Sequence, residues 1–347
     1  MNNYIYIDCG IFLIYNQKVY LTLSTHEIIL KFIQHIEVIL KHREEGEKQM
    51  KILNFGSLNI DYVYKVEEFV KAGETISSKK LDVYSGGKGL NQSIAIAKSG
   101  VKVYHAGKIG QDGVFLKKEL ENAKVDTTYL LNEEGPTGHA IIQVNKEGQN
   151  SILLFGGANE NIWRKEIDGI LKGFNKEDII LLQCEINNLD YIVDECHKKG
   201  MTVILNPSPV NEHLKGIDIS KVSYIILNEI EGQLLSGESE EASIIKKLLD
   251  KYKNLKVVLT LGERGVIYAD GENYVKQDIF KTKVVDTTAA GDTFTGYFIS
   301  GLVNNLSIEE CLKRAAMASS IAVSRHGASQ SIPTIEEVKV RFELRAH

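Results

Sequence analysis

Cysteine is sparse in this chain. The four in 347 residues, Cys9, Cys184, Cys196 and Cys311, are scattered without metal-site spacing. That pattern excludes a disulfide framework or a thiolate metal centre and suits reduced thiols. Charge of one sign is lacking too: the net charge is −5 with acids and bases interspersed, so the basic stripe of a nucleic-acid binder is missing. Long hydrophobic runs are also missing. The apolar stretch at 28–40 is broken by Lys31, Gln34, His35 and Glu37, too polar and too short for a membrane span. Asp8 interrupts the first apolar run, and no basic start precedes it, which argues against a secretory signal. "HEIIL" at 26–30 lacks the second histidine of a zinc-protease helix. The expectation is a cytoplasmic chain without nucleic-acid or membrane partners, ordinary in composition and long enough for one large or two modest domains.

From Met50 onward short apolar runs alternate with helical stretches. "KILNFG" (51–56), "VKVYHAG" (101–107), "DIILLQC" (178–184), "MTVILN" (201–206), "VSYIILN" (222–228) and "KVVLTLG" (256–262) read as strands. They are nearly continuous in apolar residues, as strands buried on both faces should be. Helical segments such as 88–99, 188–199 and 239–252 separate them. The pattern predicts a doubly wound α/β domain, its mostly parallel sheet flanked by helices. Two regions, 59–84 and 137–156, alternate polar and apolar residues without helices and predict a small antiparallel β lid. Polar residues stand at or just after several strand ends: Glu185, Asn206 and Asn228. In open α/β sheets that edge carries the ligand.

Two glycine-bearing segments point to chemistry. "SGGKGLNQS" (85–93) opens a helix and lets a ligand approach the backbone, but it is not a P-loop, since no Ser or Thr follows the lysine. "VVDTTAAGDTFTG" (284–296) has the small residues of an anion-binding helix start, yet carries a carboxylate, Asp292, within it. A loop that only held an anion should avoid that charge. Asp292 is either a helix cap or a base placed beside an anion site.

Together with "GSLNID" (56–61), these segments resemble the two signatures and the sugar motif of the ribokinase (PfkB-type) carbohydrate kinase family. The likeness covers 50–335 in the family's order, including "AGET" (72–75), "GAN" (157–159), "LNPSP" (205–209), "LNEIE" (227–231) and "TLGERG" (260–265). The resemblance implies ATP-dependent phosphoryl transfer to a primary hydroxyl of a small sugar, D-ribose at its 5-hydroxyl foremost. A deoxyribokinase, fructokinase or nucleoside kinase is the alternative within the family, and a catalytically silent sugar-binding regulator built on the same fold is the alternative of a different class. It also implies the roles. Asp292 is the general base, and the backbone of Ala289, Ala290, Gly291 and Asp292 forms the anion hole. Asn59, Asp61, Gly87, Lys88, Asn91 and Glu185 hold the sugar. Asn206 and the turn Thr260, Leu261, Gly262, Glu263, Arg264, Gly265 face the nucleotide, with Gly291. Asn228 and Glu231 organise Mg2+ through water. Asp286, Thr288, Ala322, Arg325, Gly327 and Ser331 form a loop for K+, several through backbone carbonyls. Pairing of lids into a homodimer is likewise implied.

Leu90 departs from the small residue frequent at its place in the family and is expected to narrow the sugar pocket. Residues 1–49 lie outside the likeness and are expected to be an extension, with Met50 the natural start. "REEGEK" (43–48) contains only residues that purine-only codons encode, as a translated ribosome-binding site would. The other reading is a real appended helix, capped at Ser24 or Thr25, over "STHEIILKFIQHIEVILKH".

Overall fold

The computed structural model describes residues 50–346, together with the backbone of three strands before them, β1 (Asn3–Ile7), β2 (Gly10–Tyr15) and β3 (Lys18–Tyr20). The chain divides into two units, Met1–Gln49 and Met50–His347. In the first, the three strands form an antiparallel meander in the order β1-β2-β3. The helix expected after Ser24 or Thr25, and the "HEIIL" segment, lie outside the described residues.

In the second unit the apolar runs become strands covered on both faces. They are β4 (Ile52–Phe55), β7 (Val103–Ile109), β8 (Asp126–Asn132), β11 (Ile179–Gln183), β12 (Thr202–Asn206), β13 (Tyr224–Asn228), β14 (Lys256–Thr260), β15 (Val266–Ala269) and β16 (Tyr274–Gln277). Their order is β16-β15-β14-β13-β12-β11-β4-β7-β8. All pairs from β14 through β8 are parallel, and β15 and β16 add an antiparallel edge. Alternate residues feed two separate cores. Ile180 and Leu182 join one with Val203, Leu205 and the helices Arg164–Leu171, Leu189–Lys198 and Glu241–Lys251. Leu181 joins the other with Ile204, Val258 and the helices Lys88–Lys98, Ala290–Val303 and Ile308–Ala322. Burying one such side chain contributes about 1.5–3 kcal/mol, which is why a strand with two apolar faces is so strongly specified.

From β4 the chain first builds outward to β7 and β8, then returns to place β11 on the other side of β4. That reversal is a topological switch point, and the crevice beyond the carboxyl ends of β4 and β11 is where such sheets bind ligands.

The second sheet comprises β5 (Asn59–Lys65), β6 (Lys80–Gly86), β9 (Gly138–Val144) and β10 (Asn150–Phe155), ordered β10-β9-β5-β6. Its two hairpins are antiparallel and join through a parallel β5–β9 pair, with Asp61 opposite Ala140. These strands occupy the two segments expected to form the lid. The edge strands carry exposed apolar side chains, among them Leu153 at 67%, Ile152, Leu154 and Phe155 on β10 and Leu81, Val83 and Tyr84 on β6. Among the described residues no helix is long and apolar enough to cross a membrane, and Cys184, Cys196 and Cys311 are buried free thiols.

Candidate active site

Asp292 lies in the first turn of the helix Ala290–Val303 and is 6% exposed. Its carboxylate is held from both sides. Asn91 Nδ2 donates to Oδ2 at 3.1 Å and Gln92 Nε2 donates to Oδ1 at 2.9 Å. The amides of Gly291 and Asp292 are first-turn positions, ahead of any intrahelical acceptor. Gly291 is exposed, and a Cβ built on it meets nothing within 4 Å. A carboxylate and an open, N–H-rich helix start therefore stand side by side.

The other glycine-bearing helix start is different. Gly87, at φ +93°, begins the helix Lys88–Lys98 and has no side chain to cap it. The first-turn donors are instead met from elsewhere: Lys88 N donates to Glu185 Oε2 at 2.9 Å, Gly89 N to Ser57 Oγ at 3.3 Å and Leu90 N to Ser57 O at 3.0 Å. Ser57 Oγ also donates to Glu185 Oε2. Ser57 follows β4 and Glu185 follows β11, so this cap closes the switch point. With these donors satisfied, this helix start lacks the free first-turn amides of an anion site.

Asp61 on β5 leans over the glycine pair: a Cβ on Gly86 would fall 2.2 Å from its Oδ2. Burial first, then the Glu185 carboxylate, pushes the Asp61 carboxyl up to about 7. Burial also raises Glu185, against the opposing pull of Lys88. For Lys88, burial acts to lower the ammonium, but Asp292, Glu185 and Glu231 outweigh it and hold the group above its ordinary value. Asn59, 4% exposed, accepts at Oδ1 from Asn159 Nδ2 at 2.8 Å. Asn91 Oδ1 is buried without a partner among the described residues, an acceptor awaiting a donor.

On the other flank, Asn228 and Glu231 form a reciprocal capping box. Glu231 N donates to Asn228 Oδ1, and Asn228 N to Glu231 Oε2, both at 2.9 Å. That box opens the helix Glu229–Ser236 at the end of β13, next to the end of β14, where Thr260 pairs with Asn228. The turn after β14 is built by Gly262 and Gly265, both at positive φ, with Leu261 N donating to Gly265 O at 2.8 Å. Arg264 is spent on Glu229 and Glu241. Asn206, ending β12, donates to Ile226 O at 2.8 Å and accepts from Gln92 at 3.0 Å.

The segment before Ala289 is tied to the chain after the helix Ile308–Ala322. Asp286 Oδ1 accepts from Thr288 N at 2.9 Å and Oδ2 from Gly327 N at 3.0 Å. Burial acts to raise the Asp286 carboxyl, but these bonds and that from the Thr288 hydroxyl hold it below its ordinary value. Ser331 N donates to Ala328 O at 3.1 Å, and Arg325 N to Ala322 O at 3.0 Å. The Arg325 guanidinium is paired with Glu337, which keeps it from the backbone carbonyls of the loop.

One expectation is corrected. Leu90 is fully buried in the apolar layer with Leu58, Ile60 and Phe294, so it does not narrow the pocket. Sequence reasoning also passed over Ser57, Gln92, Asn159 and Gln183. Gln183 and Asn54 were visible as polar residues inside otherwise apolar runs, "LLQC" and "ILNF", and Gln92 as the neighbour of Asn91.

The pfkB family carbohydrate kinase model matches residues 49–335. Ribokinase of Staphylococcus aureus (strain COL) is 34% identical over 305 residues, covering 83% of this chain and 98% of that protein. Deoxyribokinase of Salmonella typhi is 31% identical over 308 residues, covering 85% and 99%. Among solved structures, Arabidopsis thaliana ribokinase complexed with ribose and ATP matches with a TM-score of 0.75 and 30% identity, over 84% of this chain and 98% of that one. A match across nearly the whole second unit, carried by the segments that build the site, leaves one conclusion: the chain belongs to the pfkB family of carbohydrate kinases.

Proposed function

We propose that the protein is a cytoplasmic ribokinase that transfers the γ-phosphoryl group of ATP to the 5-hydroxyl of D-ribose. The observation that carries this reading is the Asp292 carboxylate, oriented by two amides beside the open helix start at Gly291. Asp292 takes the proton of the 5-hydroxyl as its oxygen attacks the γ-phosphorus. The bond to the bridging oxygen breaks, and ADP leaves. The amides of Gly291 and Asp292 stabilise the charge on the transferring group, whereas Ala290 N is already bonded to Thr287 O at 3.2 Å. Base and anion hole adjoin because the proton leaves where the phosphoryl arrives.

Asn59, Asp61, Gly87, Lys88, Asn91 and Glu185 would hold the sugar for in-line attack. Asn206 and the 260–265 turn would flank the nucleotide. One Glu231 oxygen is committed to the capping box. The rest of the carboxylate suits a magnesium ion held through water, the manner this ion prefers, and Mg2+ would offset phosphate charge. The tether of Asp286 and Thr288 to Gly327 supports a K+ loop there, one that would order the anion-hole backbone from behind. The exposed apolar edges of the lid suit pairing of two lids into a homodimer.

The test is ATP turnover on ribose, 2-deoxyribose, fructose and nucleosides, with wild type and Asp292→Asn. Ribose should give the highest kcat/KM, because a site that bonds a hydroxyl rejects the analogue lacking it. A preference for 2-deoxyribose, the substrate class of the Salmonella relative's name, would overturn the ribose assignment. Asp292→Asn should still bind both substrates and lose about 10²–10⁴-fold in turnover. Near-normal turnover would remove Asp292 from the base role.

A further inference from the structure

Behind Asp292 a line of buried amides runs into the protein. Asn54, Gln92, Ser93, His105 and Gln183 are each 0% exposed. Most of their polar atoms bond one another, although Gln183 Oε1 and His105 Nε2 are buried without a partner among the described residues, and the amide ends can be assigned inward from two groups that only accept, the Gly89 carbonyl and the Asp292 carboxylate.

Asn54 Nδ2 donates to the backbone oxygen of Gly89 and to Ser93 Oγ, both at 2.8 Å. A carbonyl oxygen can only accept, so Asn54 Oδ1 is turned the other way, toward Gln183. Gln183 Nε2 donates to that oxygen at 2.9 Å and to Gln92 Oε1 at 2.7 Å, which spends both its protons. Gln92 Oε1 therefore faces Gln183, and Gln92 Nε2 faces Asp292 Oδ1 at 2.9 Å and Asn206 Oδ1 at 3.0 Å. Asn206 is fixed in turn by its donation to Ile226 O. At the far end Ser93 Oγ, which accepts from Asn54, lies 2.8 Å from His105 Nδ1, and the imidazole tautomer sets which of the two donates. Burial keeps that imidazole neutral, its pKa pushed down to about 3.

Turning the Gln92 amide over would set oxygen against Asp292 Oδ1, oxygen against Asn206 Oδ1 and NH2 against the NH2 of Gln183. The line thus has one polarity, and it delivers donors to the carboxylate. With no exposed surface, Gln92 cannot meet a substrate.

We propose that Gln92 is the positioning residue for the Asp292 carboxylate, and that Gln183, which does not touch Asp292, sets which end of the Gln92 amide faces it. This rests on the reading of Asp292 as the base. One amide also bonds Asn206, so the base and the end of β12 are held in a single geometry.

The full-length chain is assayed as wild type, Gln92→Met, Gln183→Met, Gln183→Glu, the double Met variant and Asp292→Asn. Methionine keeps the volume and removes the donors. Gln92→Met should lose about 10- to 100-fold in kcat, with the ribose and ATP KM values within about twofold. Gln183→Met should lose about 3- to 10-fold. Gln183→Glu should lose more, because its carboxyl accepts where an amide donated and draws the Gln92 NH2 away from Asp292. The double variant should be no worse than Gln92→Met alone, since Gln183 acts only through Gln92. A kcat for Gln92→Met within twofold of wild type, or KM values that rise as far as kcat falls, would overturn the proposal. So would a Gln183→Met loss that multiplies in the Gln92→Met background. If Gln92→Met does not fold, the two Gln183 variants decide: a Glu variant as active as the Met variant overturns the proposal. Normal turnover by Asp292→Asn would instead bring down the base reading, whereas an inactive Asp292→Asn beside a normal Gln92→Met would bring down the positioning role alone.

Discussion

Gly291 separates a structural role from a ligand-facing one. It is the second residue of the helix Ala290–Val303, exposed, and a Cβ there would meet no heavy atom within 4 Å. On stability alone, Gly291→Ala should therefore help, because alanine is favoured over glycine in a helix by about 0.5–1 kcal/mol. In a domain of this size that amounts to a melting temperature raised by about 1–3 °C. On the proposed reading the empty space is where the transferring phosphoryl group sits, about 3 Å from the first-turn amides. A methyl group there displaces it by about its own radius, and a misplacement of about 1 Å can cost about 10²-fold in rate. Gly296, one and a half turns along the same helix, is the control. A Cβ there would fall 2.4 Å from Ala95 Cβ and 2.9 Å from backbone atoms of Ala95 and Ile96. Gly296→Ala should lower the melting temperature, with about 1–3 kcal/mol lost to overpacking. Thermal melts and a coupled ATP-turnover assay on both variants read the two effects apart. Normal turnover by Gly291→Ala would show that no ligand approaches the helix start, and a lowered melting temperature would show that the space is not free.

Three further outcomes can be checked separately. The Asp61 carboxyl, raised from 3.8 to about 7, should grip sugar hydroxyls best as the anion, so the ribose KM should climb as pH falls through about 7 while the ATP KM stays level; a pH-independent ribose KM refutes this. The same shift has the opposite sign for folding: the folded protein holds that proton more tightly, so Asp61 favours the folded state below about pH 4, and the contribution is lost as pH rises through about 7. Replacing sodium by potassium at constant ionic strength should raise kcat if the Asp286–Gly327 tether frames a cation loop, and a flat response removes that role. A chain begun at Met50 should match the full chain in melting temperature and turnover; unfolding or inactivity on truncation would show that residues 1–49 pack on the kinase unit.

The strands were legible to within two residues at either end because a parallel strand covered on both faces is an unbroken apolar run. "DIILLQC" can only be such a strand or a short buried helix, and its length and β-branched content decide. The lid was legible from its period of two, but the parallel join of β5 to β9 was not. Asn59 and Gly138 are brought together by a chain reversal that no local pattern encodes. The edge strands β15 and β16 and the strand β8 were likewise not among the expected strands. Leu90 shows the opposite failure. Its place beside Asn91 in a signature suggested a pocket wall, but one step along a helix turns a side chain by about 100°, enough to point Leu90 into the core while Asn91 reaches Asp292. The amide line was invisible for a related reason. Asn54, Gln92 and Gln183 stand far apart in sequence and meet only because β4 pairs with β11 beneath the helix Lys88–Lys98.

On the proposed reading, an acid can stand in an anion-binding loop because of how charge is divided across the crevice. Helix starts favour negative charge by about 0.3–1 kcal/mol or somewhat more when partly buried, so the start at Gly291 serves two anions at once: the carboxylate of Asp292 and, on the proposed reading, the arriving phosphoryl group. Two anions in one place repel unless something holds one of them still and neutralises part of its charge. Asn91 and Gln92 do the first by donating to both Asp292 oxygens, and Lys88 contributes to the second. Glu185 and Glu231 act on the same ammonium and help hold it above its ordinary value. On the proposed reading the nucleotide's own cation would supply further positive charge there. An ATP that arrived without one would bring its full phosphate charge up to the Asp292 carboxylate, and on that ground the cation and the nucleotide should enter the site together.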